Sequence, residues 1–337
     1  MNKPLVTHNV MINFAAFIIV VAGLKAATQL LVPFLLAVFI AVLCAPMMIW
    51  LKKKRMPSTV SVLLVAVLFF LITATLGTII GSSLSAFYQD LPEYEQKLQQ
   101  QGAGILATLR GFGIDVDETV FSSYIDPGAA IKMVGTIFSG LGGVLTNAFL
   151  ILFTVVFILL EASDFPEKFR RALGSKTNAL DYFQNFSGSV QRYLLIKTLV
   201  SMGTGMFVGI MLAWIGVDYA ILWAVIAFLL NFIPNIGSII AAVPPMLIAL
   251  IQLGPMSSLL VAGLYVVTNV VFGNVIEPRF MGRSLGLSTL VVFVSLIFWG
   301  WIFGPVGMLL SIPLTIMVKI GLENSEKNRW LAVLLGH

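Results

Sequence analysis

Residues 30–50 read LLVPFLLAVFIAVLCAPMMIW, an apolar run without a single charge. A helix needs roughly 20 such residues to cross the hydrocarbon core of a bilayer. Comparable runs recur along all 337 residues, near 10–30, 31–50, 59–88, 141–161 and 198–216. Less regular ones follow near 219–253, 256–275 and 286–320. This pattern predicts an all-α polytopic membrane protein with about seven or eight transmembrane segments. Composition agrees. Only 10% of residues are charged and 59% are hydrophobic, with a mean hydropathy of +1.00, whereas soluble domains carry about a quarter charged residues. Too little polar surface exists to coat a water-soluble globule.

The same inventory excludes several chemistries. The net charge of +5 comes mostly from loops between apolar runs, which reads as membrane orientation and not as nucleic-acid binding. Cys44 is the single cysteine, and His8 and His337 stand at opposite ends, so neither a disulfide nor a zinc cluster is expected. No phosphate loop, zinc-protease motif or nucleophile elbow is present. Neither an enzyme nor a cofactor is expected. The opening MNKPLVTHNVMINFAAFIIVVAGLKAATQ is expected to be an uncleaved first membrane helix, because another apolar run follows almost at once.

Lysine and arginine set the orientation. With the N-terminus cytoplasmic, Lys52, Lys53, Lys54 and Arg55 lie inside. So do Lys168, Arg170, Arg171, Lys176, Arg192 and Lys197 in segment 162–197. Segment 89–140, rich in Asp and Glu, falls outside. The charge map closes, with the C-terminus also cytoplasmic, if 219–253 and 286–320 are helical hairpins that go in and come back. Whether they span or only re-enter is open. The chain is therefore expected to be one transport domain over 1–337, with an outer excursion at 89–140 and a cytoplasmic amphipathic one at 162–197. Helix starts are expected at DPGAAI in the first and SDFPEKFRRAL in the second. The third span, too long for a straight crossing, should tilt or run on into solvent.

The hairpins carry the candidate chemistry. LNFIPNIGSIIAAVPP places Pro234, Pro244, Pro245 and Gly237 with Asn231 and Asn235 at membrane depth. Breaks there are tolerated against protein or a watery cavity. Freed carbonyls and the Asn amides can bind a polar solute; equally, the segment can be a plain kink whose amides bond neighbouring helices. WGWIFGPVGM breaks the second hairpin, and PVGMLLSIP there echoes PNIGSIIAAVP in the first. Trp299 and Trp301 read as interfacial anchors, and SMGTGMFVG, residues 201–209, as a close-packing stripe. In NVIEPRFMGR, Pro278 should push Glu277 out of helical geometry into a turn or unwound segment. Glu277, Arg279 and Arg283 are either a cytoplasmic loop with orientation-setting charges, or a folded-in site where the arginines pair with Glu277 or meet substrate.

LLVPFLLAVFIAVLCAP, FIPNIGSIIAAVPP and NVIEPRFMGRSLGLSTLVVFVSLIFWGWIFGPVGMLLSIPLTIMVKI resemble segments of the autoinducer-2 exporter family of bacterial membrane transporters. The resemblance covers nearly the whole chain. Its motif maps onto Pro234, Asn235, Gly237, Glu277, Pro278, Arg279 and Gly282. It implies an inner-membrane transporter, assembled as a homo-oligomer (a pentamer), moving a small polar signal outward, with effects on quorum sensing and biofilm. Some relatives are instead sodium- or lithium-proton antiporters. A polyol such as autoinducer-2 would meet Asn231, Asn235, Ser238, Ser288 and Thr289 along its path, with Pro234, Gly237, Glu277, Arg279 and Arg283 shaping it. Cation–proton exchange would instead centre on the Glu277 carboxylate, with protons or sodium as coupling ion. A non-transport scaffold built on 89–140 is the third reading, and deleting that segment distinguishes it.

Overall fold

The computed structural model describes residues 4–111, 147–162, 168, 179–234, 236–281, 287–323 and 329–336. Every described element is helical: α1 (Pro4–Ala26), α2 (Thr28–Lys53), α3 (Ser58–Gly111), α4 (Ala148–Glu161), α5 (Ala179–Ile215), α6 (Ala220–Leu230), α7 (Ile236–Leu253), α8 (Pro255–Thr268), a π-helical segment (Asn269–Ile276), α9 (Glu277–Met281), α10 (Thr289–Glu323) and α11 (Arg329–Leu335). Six stretches among them are long and apolar enough to cross a membrane: Thr28–Lys53, Ser58–Asp90, Ser187–Ile215, Ile236–Leu253, Pro255–Phe280 and Thr289–Glu323. The protein is an all-α polytopic membrane protein.

The long third span continues as one helix of 54 residues to Gly111. Residues 179–197 form the start of α5 and run straight into its apolar part. The expected helix starts at SDFPEKFRRAL and DPGAAI lie outside the described residues. The chain divides into two compact units, one of Met1–Leu68, Asn147–Arg192 and Ser284–His337, the other of Phe69–Thr146 and Tyr193–Arg283.

In the first unit α2 packs against α4, and α10 folds back on itself at Gly304. Gly304 has φ 66° and ψ −148°, a conformation side chains oppose. Just beyond it, a Cβ on Gly307 would stand 1.9 Å from the carbonyl oxygen of Trp299, so the limbs close only on a bare backbone. The break orphans carbonyls. Trp301 O would normally accept from residue 305, which is a proline. Lys25 Nζ donates to it at 3.1 Å and lies 3.7 Å from the Trp301 ring centre. The Thr28 hydroxyl reaches Ile302 O at 3.1 Å. Lys25 and Thr28 flank the α1 to α2 junction, so that junction caps the tip. Trp299 is not an interfacial anchor: it is buried, and its Nε1 donates to Thr315 Oγ1 at 3.0 Å across the hairpin. Aromatic packing and an indole partner outweigh the interface here. Trp301 stays exposed.

The second unit has a core of Val208, Leu212, Leu222, Trp223, Ile226 and Val261, with Phe87 and Tyr94 contributed by α3. The glycine stripe does permit close packing. Cβ atoms on Gly205 and Gly209 would come 2.7 Å from Ala224 O and Ala224 Cβ respectively. α5 ends at Gly216 (φ 89°), whose N–H and that of Val217 both cap Leu212 O. α6 then turns back for only 11 residues, about 16 Å, half a bilayer core. α7 returns, and Gln252 at its far end accepts from Asp218 N–H (3.1 Å) and donates to Gly216 O (3.3 Å). Both open ends of the hairpin therefore meet on one side. Tyr94 Oη donates to Asp218 Oδ2 at 2.8 Å, and Tyr219 Oη to Asp90 Oδ2, tying this mouth to α3. The break falls between the end of α6 at Leu230 and the start of α7 at Ile236; Pro244 and Pro245, expected as part of it, ride inside α7.

Candidate functional site: a polar hollow beside the hairpin tip

The tip is built by sterics before chemistry. Gly237 opens α7 with its Cα so close to the end of α6 that a Cβ would lie 1.8 Å from Leu230 O. Pro234 and the apolar Phe232 and Ile233, both buried, turn the chain. Asn231, the first residue past α6, is thereby aimed at α5, where its Nδ2 donates to Ser201 Oγ at 2.9 Å.

Beside this contact lies a hollow of about 290 Å³, counting the space at its mouth, lined by Thr204, Ala227, Asn231, Ser238, Ala241, Tyr265, Thr268, Asn269, Phe272 and Gly273. Space clear of its walls suffices for about one water molecule. Thr204 Oγ1 and Tyr265 Oη are buried with no hydrogen-bond partner in the protein. Leaving a buried hydroxyl unpaired costs about 1–3 kcal/mol. Two such atoms belong to residues lining one hollow, where a water or a solute hydroxyl would be their partner.

The far wall is the π-helical segment. From α8 the helix widens over Asn269–Ile276 and resumes as α9 at Glu277, whose N–H bonds to Phe272 O, five residues back. Glu277 is thus helical (φ −56°, ψ −51°), not in a turn as expected from the residue before a proline. The widened register displaces the carbonyls that the Pro278 ring would strike in an α-helix, and the chain runs through. The Asn269 amide packs closely over Gly273, its Oδ1 3.0 Å from where a Cβ would be.

One helical turn from Ser201, Lys197 Nζ lies 2.8 Å from both carboxylate oxygens of Glu277. Their side chains are 4% and 17% exposed. Among the described residues the partner of Glu277 is therefore Lys197. Arg279 is exposed, and Arg283 lies outside the described residues, as does Asn235. Net charge at the pair is zero, which is how a membrane interior tolerates two ions. Lys197 joins α5 to the helix bearing Glu277 and sits beside the hollow without lining it.

Of the predicted residues, Asn231 and Ser238 line the hollow, Pro234 and Gly237 shape the tip, and Glu277 closes the ion pair. Ser288 and Thr289 start α10 in the other unit, where Ser288 Oγ accepts from Val291 N–H at 3.3 Å. Sequence reasoning missed Thr204, Tyr265, Thr268, Asn269 and Lys197. For Lys197 a signal existed: YLLIKTLV sets the charge inside an apolar run. The hydroxyls gave none, since Thr and Tyr are ordinary in membrane helices. Among the described residues no group of three or more metal-ligating side chains occurs.

Comparison with known proteins decides the lineage. The model of the AI-2E family transporter matches residues 14–327. The chain belongs to the AI-2E transporter family. It is 40% identical to the AI-2 transport protein TqsA of Escherichia coli K12, over 99% of this chain and 98% of that protein. A putative transport protein of Haemophilus influenzae is 40% identical over 100% of this chain and 98% of its own length. YhhT of E. coli K12, also a putative transport protein, is 35% identical, with 97% and 94% covered. This AI-2E chain is a membrane transporter, not an enzyme. In this chain the tip of one broken hairpin borders a polar hollow.

Proposed function

We propose that this transporter exports autoinducer-2, or a similar small polar solute, outward across the bacterial inner membrane by alternating access, with the hollow beside Asn231 as its binding place. The observation that carries the reading is the pair of buried hydroxyls, Thr204 and Tyr265, left without protein partners around that hollow. A small polyol needs hydrogen-bond donors and acceptors, and Asn231, Ser238 and Asn269 supply both kinds. TqsA, named as an AI-2 transport protein, supports the choice of solute. The hollow is too narrow for a polyol as it stands, so binding requires the tip to withdraw from α5, where Asn231 holds it. Broken helices of carriers commonly build a central site that is exposed alternately to the two sides as one helical element gates or rocks against another.

The reading includes cytoplasmic termini, supported by the Lys and Arg distribution, and homo-oligomeric, pentameric assembly, supported by the family resemblance. Reconstitution into liposomes tests it. Autoinducer-2 efflux is expected from the wild-type chain, and its absence would overturn the reading.

The buried carboxylate of Glu277 favours a second reading, sodium- or lithium-proton antiport. Exchange would require Lys197 to release a carboxylate it holds by both oxygens. Glu277→Gln separates the two in one preparation: it abolishes sodium-driven proton movement if antiport is the activity, and only impairs polyol efflux if the carboxylate is structural.

A further inference from the structure

The side chains facing the hollow share one property: none of them is charged. Lys197 and Glu277, the buried ion pair of this unit, do not line it and are paired with each other. A charged solute entering would give up its hydration in a poorly polarisable interior and find no counter-ion. A neutral solute avoids that penalty. Its hydroxyls gain the two partners that the protein leaves open, on Thr204 and Tyr265. Sites built to pair a hydroxyl discriminate strongly against a solute that leaves their polar groups unpaired.

We infer that the hollow selects a neutral, hydroxyl-bearing solute over charged forms of the same compound, and that Thr204 and Tyr265 are the specificity-determining residues that read its hydroxyls. The inference rests on the export reading and adds to it a rule about which form of the solute moves.

Borate distinguishes the forms, because it converts a vicinal diol into a tetrahedral ester that carries a negative charge. Proteoliposomes containing the full chain are loaded with autoinducer-2 in boron-free buffer or in borate, and efflux is followed. The expected result is efflux without borate and a fall in proportion to the fraction esterified. Efflux that is equal or faster in borate overturns neutral selection and leaves the export reading intact. No efflux in either buffer overturns both.

Two isosteric variants test the residues. Thr204→Val and Tyr265→Phe should each raise KM about tenfold, the worth of roughly one hydrogen bond. Thermal denaturation of the solute-free protein gives an independent readout. Removing a buried hydroxyl that has no partner should leave the Tm unchanged or raise it by about 2 °C. A Tm that falls, or a KM that does not move, shows that these hydroxyls serve the fold and overturns their assignment.

Discussion

The two broken hairpins share a construction and differ in how they finish it. Each turns at a proline-bearing break, and each needs a glycine just beyond, Gly237 or Gly307, pressed against a carbonyl of the preceding limb. At the α10 hairpin the freed carbonyls of Trp301 and Ile302 are taken up by Lys25 and Thr28, and the Trp299 indole is answered by Thr315. Ser311 Oγ, seven residues past Gly304, is the buried polar atom there without a protein partner. At the α6 and α7 hairpin the tip instead borders a hollow whose hydroxyls are left open. A proline break in a membrane helix is therefore weak evidence for a solute path. The polar groups left over after the fold has satisfied itself are better evidence.

The largest expected effect concerns the charges beside the open tip. Glu277→Gln or Lys197→Met should each destabilise the protein by about 3–5 kcal/mol, because one buried ion is left alone. The double change Lys197→Met with Glu277→Leu should recover most of that loss. Denaturation in detergent measures all three. Single variants that behave like wild type would place the pair in water.

Next come the glycines, which test whether the hairpins share their construction. Gly237→Ala and Gly307→Ala each put a Cβ inside a carbonyl oxygen, and losses of about 2–3 kcal/mol are expected at both sites. A large loss at one and none at the other would break the equivalence.

A smaller effect sharpens the contrast. Thr28→Val or Lys25→Met should lower stability by about 1 kcal/mol and leave the KM for autoinducer-2 unchanged. A change in KM comparable to that at Thr204 would show that the capped hairpin also handles solute.

The smallest is a pH effect at the mouth of the α6 and α7 hairpin. Burial, then the hydrogen bond to Asp90, pushes the Tyr219 phenol up to about 12. Burial, then the bond to Asp218, pushes Tyr94 up as well. A phenol whose value is raised on folding stabilises the fold below its unfolded value near 10, and that contribution disappears as the pH climbs through the folded value. Tm should hold up to about pH 10 and fall above it. Tyr94→Phe together with Tyr219→Phe should flatten the fall.

Much of this fold could be read in the chain because lipid imposes a simple rule. Long uncharged runs become helices, glycine stripes become contacts, and Pro234 with Gly237 marks a real break. What could not be read depends on partners distant in sequence. Lys197 looked like an orienting loop charge until Glu277, 80 residues later, was seen to hold it. Pro278 argued for a turn, and only the π-helical register shows how the helix passes through it. Trp299 had the composition of an anchor, yet Thr315 drew it inside. No local pattern says that Thr204 and Tyr265 lack partners, since an unmet hydrogen bond is a property of the packed whole.

The most direct measurement restrains the open tip. Ser201 and Asn231, hydrogen-bonded at 2.9 Å, are changed to cysteine in a Cys44→Ser background and joined by a short cross-linker that reductant cleaves. Autoinducer-2 efflux from proteoliposomes should stop when the link forms and return to the level of the unlinked double variant when it is cut. Efflux undiminished with the tip tethered to α5 would contradict the claim that solute passes through this hollow.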